Sequence, residues 1–290
     1  MASHSPVFRS LRRDELDTAL DWAAAEGWNP GLADAEAFRA ADPDGFWAME
    51  AEGELIGTAS TVVYEGGRLG FVGLFIVRPD WRGQGLGTRF WRFFIDRLRE
   101  RLAPEGGAAL DGVFAMQAYY ARSGFRFTHR NLRMEGTGEP GSGADHPGLR
   151  EAASFDFAEL RAYDRLHFGA ERREFLNLWV RPEGGRALVW RRPDGLPGGY
   201  GVIRPCRRGF KIGPLFADDP QGAEALFAAL SRHAAGAPLF LDVPENNPRA
   251  LALAARHGLR ESFGCARMVT GRFPALPWER IYGVTTFELG

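Results

Sequence analysis

The chain has 290 residues, 45% of them hydrophobic and 25% charged, with a formal net charge of -1. This is the balance of a globular protein with one large or two ordinary domains. It excludes an overall basic surface for nucleic acid or an anionic membrane.

The cationic side chains are almost all arginine, and Lys211 is the only lysine; a GC-rich genome accounts for that. Cys206 and Cys265 lie far apart with no metal or redox spacing, which points to a reducing compartment. The N-terminal stretch lacks an apolar signal core, and no apolar run is long enough to span a membrane. A cytoplasmic protein is expected, as a monomer or homodimer, with no nucleic acid, membrane or metal partner.

Val7–Arg12 reads as a first strand. Asp14 is placed to cap a helix whose apolar face is Leu16, Ala19, Leu20 and Ala23. The segment EGWNPG, Glu26–Gly31, breaks that helix. A second helix is expected over Asp34–Ala41, with Asp34 as its cap. Phe46–Glu52 and Leu55–Glu65 alternate as two strands.

Phe71–Val77 is apolar on both faces, as in a strand inside a sheet, and Pro79 stops it. The loop Arg82-Gly83-Gln84-Gly85-Leu86-Gly87 then enters a helix with apolar residues at Leu86, Phe90, Phe93, Phe94 and Leu98. A helix N-terminus offers unpaired N–H groups and partial positive charge, so it suits a phosphate. Glycines lacking Cβ let a phosphate oxygen approach the backbone, and Arg82 adds a cation. The Walker pattern is missing, because no lysine stands here. The dinucleotide pattern G-x-G-x-x-G is also missing, because the glycines fall as G-x-G-x-G. A strand at Leu110–Val113, a helix near Ala115–Ser123 ending at Gly124, and a strand at Phe125–Glu135 complete this half.

The order β-α-α-β-β-β-α-β-α-β, with Arg-x-x-Gly-x-Gly after V-x-P, resembles the Gcn5-related N-acetyltransferases (GNAT) over roughly residues 7–135. The resemblance implies an α+β fold with a mixed sheet and acetyl-coenzyme A as co-substrate. It implies that Leu74, Phe75, Ile76 and Val77 pair with the pantetheine. It implies that Arg82, Gly83, Gln84, Gly85, Leu86, Gly87 and Thr88 hold the pyrophosphate. An oxyanion would meet the N–H of Phe75 or Ile76. Tyr120, four residues before Gly124-Phe125, would be the acid for the departing thiolate, with Tyr119 the weaker candidate. The strand stretch Leu74–Val77 carries no carboxylate, so no general base stands out; Glu26, Glu50 and His129 are possible. Trp28 and Asn29 are the expected acceptor-side residues, the alternative being a core cover and a turn.

Residues 136–148, rich in glycine, proline and small polar residues, read as a linker. The expected division is residues 1–136, 137–148 and 149–290. The second half repeats the scheme. Helices are expected at Phe155–His167, Glu171–Val180, Gln221–Ala234 and Pro248–His257. Strands are expected at Gly185–Arg191, Gly199–Cys206, Phe210–Phe216, Pro238–Val243 and Leu259–Thr270. It therefore resembles a second copy of the same domain. This copy lacks the glycine loop and has Asp218 and Asp219 in its place, and Ala254 stands where Tyr120 stands in the first. Cofactor is expected only in the first copy. Asp164–Arg173, with His167, could complete the acceptor pocket, and the aromatic tail Phe273–Gly290 is expected to pack back on the body.

The resemblance points to acetyl transfer, direct and without a covalent intermediate, to a primary amine of a small molecule or peptide. The alternatives are a non-catalytic acetyl-coenzyme A sensor and a tandem acetyltransferase like mycothiol synthase.

Overall fold

The computed structural model describes residues 5–140 and 145–290. Residues 141–144 of the expected linker lie outside the described residues.

The N-terminal half runs β1 (Val7–Ser10), α1 (Arg13–Ala25), α2 (Asp34–Ala41), β2 (Phe46–Ala51), β3 (Glu54–Tyr64), β4 (Leu69–Val77), α3 (Leu86–Arg101), β5 (Gly107–Val113), α4 (Gln117–Ala121) and β6 (Arg126–Thr137). The C-terminal half runs β7 (Leu149–Glu151), α5 (Phe157–Phe168), α6 (Arg173–Trp179), β8 (Arg186–Arg191), β9 (Pro197–Pro205), β10 (Phe210–Ala217), α7 (Pro220–His233), β11 (Pro238–Pro244), α8 (Pro248–Arg256), β12 (Arg260–Gly271) and β13 (Ile281–Gly283). The α+β class and the repeated element order follow the expectation, apart from the short strands β7 and β13, which composition does not mark. The two expected helix caps are corrected. The Glu15 carboxylate, not Asp14, accepts the Arg12 backbone N–H at 2.8 Å. Asp34 lies inside α2 and accepts the Gly31 N–H at 2.7 Å.

All described strands join one mixed sheet in the order β1-β2-β3-β4-β5-β12-β6-β11-β10-β9-β8-β7, with β13 attached to β10. Two pairs are parallel, β4 with β5 and β10 with β11. The centre of the sheet is an exchange. β6 closes the first half in sequence but stands between β12 and β11, and β12 stands between β5 and β6. β6 and β12 are thus each bonded on both sides to strands of the other half.

Three apolar cores hold the sheet. α3 lays Phe90, Trp91, Phe94, Ile95 and Leu98 against Val72, Ala108 and Leu110 of β4 and β5. Their i, i+4 spacing gives one buried stripe. On the opposite side, α1, α2, α5 and α6 share one core, where Phe38 stacks on Trp179 at 6.3 Å. α7 and α8 cover the C-terminal strands. No helix among the described residues is long and apolar enough to cross a membrane.

The exchange is locked by charge as well as by ladder hydrogen bonds. Arg267 on β12 donates to both oxygens of Asp111 on β5, at 2.8 and 2.6 Å, and Asn131 on β6 donates to the same carboxylate at 2.8 Å. The Asp111 side chain is fully buried. Removing one partner of a buried pair leaves an uncompensated charge, at a cost of about 3–5 kcal/mol. Arg267→Met is therefore expected to lower unfolding free energy by about 3–5 kcal/mol in urea titration. A loss below about 1 kcal/mol would show that the pair does not bind the halves.

Candidate active site

β4 and β5 are hydrogen-bonded only from Leu69–Gly107 to Val72–Leu110. Beyond that point they part. The opposite edge of β4 still pairs with β3 through Thr58–Ile76 and Gly57–Val77, with a bulge between Thr58 and Ser60. At the bulge Leu74 has φ +48. Such a kink ends the ladder locally and re-aims the peptide groups. Between Gly73 and Val77 the β4 edge facing β5 is therefore open; the Leu74 carbonyl accepts from the Thr58 hydroxyl at 3.0 Å and the Val77 carbonyl from Arg82, and the remaining groups on that edge need partners from elsewhere.

The parting opens a cavity of about 570 Å³. One wall is the loop before α3. Gly83 and Gly85 have φ of +77 and +76, with nothing near where a Cβ would stand. Gly85 is also the N-cap of α3. The unpaired first-turn N–H groups of α3 thus open on the cavity mouth. Arg82 is tied there by its Nε–H to the Val77 carbonyl at 2.7 Å and by an ion pair with Glu26.

Of the expected cofactor residues, Leu74, Phe75, Ile76, Val77, Arg82, Gly83, Gly85, Gly87 and Thr88 line the cavity. Leu86 points into the core under α3, and Gln84 is exposed, its side-chain amide 3.4 Å from the Asp80 carbonyl. Tyr120 lines the cavity, buried against Trp91 at 5.0 Å between ring centroids. Burial pushes its hydroxyl pKa up. Gly112 on β5 makes the room, since a Cβ there would come within 2.4 Å of the Tyr120 ring. Tyr119 lines the cavity as well, so helical direction does not separate the two tyrosines.

On the acceptor side, Trp28 lines the cavity and Asn29 does not. The Asn29 side chain bonds the Arg208 backbone twice, donating at 3.0 Å and accepting at 2.8 Å. Glu26 is at the mouth, paired with Arg82. Glu50 is bound to Arg9 at 2.7 Å, away from the cavity. His129 is buried under Trp278, ring centroids 4.4 Å apart, and burial lowers its pKa to about 3. Asp164–Arg173 does not reach this cavity. It anchors the tail instead, since Arg172 donates to Asp164 at 2.9 and 2.7 Å and to Thr285 at 2.9 Å.

Four lining residues come from the far end of the chain: Phe263 and Cys265 of β12, and Phe287 and Glu288 of the tail. The strand exchange delivers the first two. The tail passes so close to β4 that a Cβ on Gly73 would fall 2.0 Å from the Glu288 carbonyl oxygen. Gly73 is thus the only signal in the core strand that could have pointed to another backbone.

The matching place in the second half is filled. β10 and β11 pair from Phe210–Leu239 to Ile212–Leu241 and then part in the same way. There β13 pairs with β10 through Leu215–Gly283 and Phe216–Ile281, and the Val284 N–H donates to the Asp242 carbonyl at 2.9 Å. The N-terminus of α7 is capped by Asp219, which accepts the Gly222 N–H at 2.7 Å. Among the described residues, neither an open strand edge nor a free helix end remains there for an anion.

Comparison with known proteins matches two stretches of the chain. A family model described as acetyltransferase (GNAT) family matches residues 9–125, and one described as acetyltransferase (GNAT) domain matches residues 160–283. A holothin acyltransferase from Pseudoalteromonas sp. (strain SANK 73390) is 28% identical, covering 96% of this chain and 92% of its own. A solved structure from Pyrococcus horikoshii, assigned to the acetyltransferases, superposes with a TM-score of 0.81 at 22% identity, over 100% of this chain and 98% of that one. A tandem GNAT protein from the clavulanic acid biosynthesis pathway superposes with a TM-score of 0.64 at 15% identity, over 93% of this chain and 100% of that one.

The buried His129 makes stability depend on pH. Its folded pKa lies below the unfolded value, so the unfolded chain binds the extra proton as pH falls below about 6.5. Stability is present above that value and is lost as pH falls toward 3. Between pH 6 and 5 this residue contributes a slope of about 1.4 kcal/mol per pH unit. His129→Gln is expected to flatten the urea-unfolding profile by that amount; an unchanged slope contradicts it.

Proposed function

The chain belongs to the GNAT acetyltransferase family and carries two such domains, and from that premise we propose that it transfers acetyl from acetyl-coenzyme A directly to the primary amine of a small molecule or peptide. Residues 1–136 form the catalytic unit, 137–148 the linker and 149–290 a companion unit without a cofactor site. The observation that carries the reading is the coincidence of three features on one cavity: an open strand edge, a free helix N-terminus behind a glycine loop, and the largely buried side chain of Tyr120.

The residues present fit acetyl-coenzyme A. Gly83, Gly85 and Gly87 leave room for a pyrophosphate at the first turn of α3, and Arg82 supplies a positive charge beside it. Gln84, Leu86 and Thr88 complete that turn. The open edge Leu74–Val77 offers backbone hydrogen bonds to pantetheine amides. The kink at Leu74 turns an N–H, of Phe75 or Ile76, toward the developing oxyanion. When bound, acetyl-coenzyme A supplies an activated acyl group as a thioester. Tyr120 gives its proton to the departing thiolate; its burial keeps the phenol protonated, while a free thiol has a pKa of about 8.5. Trp28 borders the acceptor, and Asn29 fixes the loop that carries it. A relative named for acyl transfer to holothin supports transfer to a small molecule.

Tyr120→Phe is expected to lower kcat by about 100-fold or more while leaving acetyl-coenzyme A affinity within twofold. An unchanged kcat across pH removes Tyr120 from the chemistry. Calorimetric titration with acetyl-coenzyme A is expected to give one site per chain. Two equivalent sites would contradict the blocked second half.

A further inference from the structure

Glu288 is 2% exposed, yet neither carboxylate oxygen has a hydrogen-bond partner among the described residues. A buried carboxylate left without partners is costly, so such a group normally marks an unmet role. It lines the same cavity as Tyr120 and Trp28.

Its position is built rather than accidental. Arg172 holds Thr285, three residues before it, and the Tyr64 hydroxyl donates to the Leu289 carbonyl at 3.1 Å. Gly73 admits the Glu288 backbone against β4 at the kink. Behind the carboxylate stands a charge network drawn from four strands and a helix. Arg133 of β6 donates to both oxygens of Asp242 of β11, at 2.7 and 2.8 Å, and lies 4.8 Å over the Phe287 ring. Lys211 of β10 is 3.7 Å from Asp242, and its ammonium has no hydrogen-bond partner among the described residues. Arg204 of β9 donates to Asp34 of α2 at 2.8 and 3.2 Å. Cys265 of β12 also lines the cavity, its thiol pKa pushed up by burial.

We infer that Glu288, carried by the C-terminal tail from the companion half, is the general base that takes a proton from the acceptor ammonium. The inference rests on the N-acyl transfer reading above. The acceptor enters as R–NH3⁺ and gives one proton to the Glu288 carboxylate. The freed nitrogen lone pair forms the C–N bond at the thioester carbonyl carbon. As the tetrahedral intermediate collapses, the C–S bond breaks and Tyr120 protonates the thiolate. The second amine proton then restores the tyrosine hydroxyl, and Glu288 releases its proton to solvent. Reactants and products balance as R–NH3⁺ plus thioester giving amide, thiol and one H⁺.

The electrostatics suit the task. Burial raises the Glu288 pKa, Lys211, Arg133 and Arg204 pull it down, and Asp34 pushes it up. The balance is a carboxyl above its ordinary range, moved toward the region where a base is most effective. The base form is the ionised one, so kcat/KM rises with pH through the Glu288 pKa.

The test compares wild type, Glu288→Gln and Glu288→Asp in a thiol-release assay over a panel of primary amines from pH 5 to 10, with acetyl-coenzyme A affinity measured in parallel. Glu288→Gln is expected to lower kcat/KM for the amine at pH 7 by at least about 100-fold, with cofactor affinity within twofold. Its rate should lose the acidic limb set by the carboxyl and climb with pH as free amine accumulates. Glu288→Asp keeps the charge in the buried network; it should fold as wild type and keep the acidic limb at a reduced rate. A Glu288→Gln enzyme with unchanged rate and pH profile overturns the base and leaves acyl transfer standing. A wild type that binds acetyl-coenzyme A but releases thiol with no amine overturns the N-acyl transfer reading and the base with it.

Discussion

The structure depends on the parting of β4 from β5. A parallel pair bonded along its full length would close the sheet and leave no cavity. Here the pairing stops at Val72–Leu110, and the kink at Leu74 keeps the two strands apart. The open edge needs hydrogen-bond partners, and a helix end capped by glycine suits an anion. Both face one space. A thioester joined through amides to a pyrophosphate meets both.

The chain contains two such partings and treats them differently. In the second, β13 supplies the missing hydrogen bonds and Asp219 satisfies the helix end. That half is finished without ligand. The same tail then continues past Thr285 to set Phe287 and Glu288 in the first cavity. One segment of about ten residues fills one site and furnishes the other. This gives the second half a physical reason to be retained: it supplies β12 and the tail to the wall of the first half's cavity. The exchange of β6 and β12 adds to this, because neither half has a complete sheet alone.

What was legible in the sequence was local. The glycine loop, the apolar stripe of α3, and the short distance from Tyr120 to Gly124-Phe125 are all patterns within about one element. They locate the glycine-loop wall of the cavity. The acids at Asp218 and Asp219 also signalled the altered second loop, where Asp219 caps α7. What was not legible was long-range. Strand exchange leaves β6 and β12 with the same alternation they would have unexchanged, so composition cannot report it. Glu288 sits in a tail with no motif, more than a domain away in sequence from the loop whose cavity it lines. His129 illustrates the reverse case: a titratable residue that is suggestive in sequence but buried under Trp278, outside the cavity.

The central claim is that one cavity holds the acyl donor at the α3 loop and the acceptor amine at the tail. A crystal structure with an adduct of coenzyme A joined through its acetyl group to a primary amine tests this most directly. The account predicts the pyrophosphate on the N–H groups around Gly83–Gly87, the pantetheine along Gly73–Val77 and the amine nitrogen in hydrogen-bond reach of Glu288. Pyrophosphate bound beside α7, or an amine nitrogen turned away from Glu288 toward solvent, would contradict it.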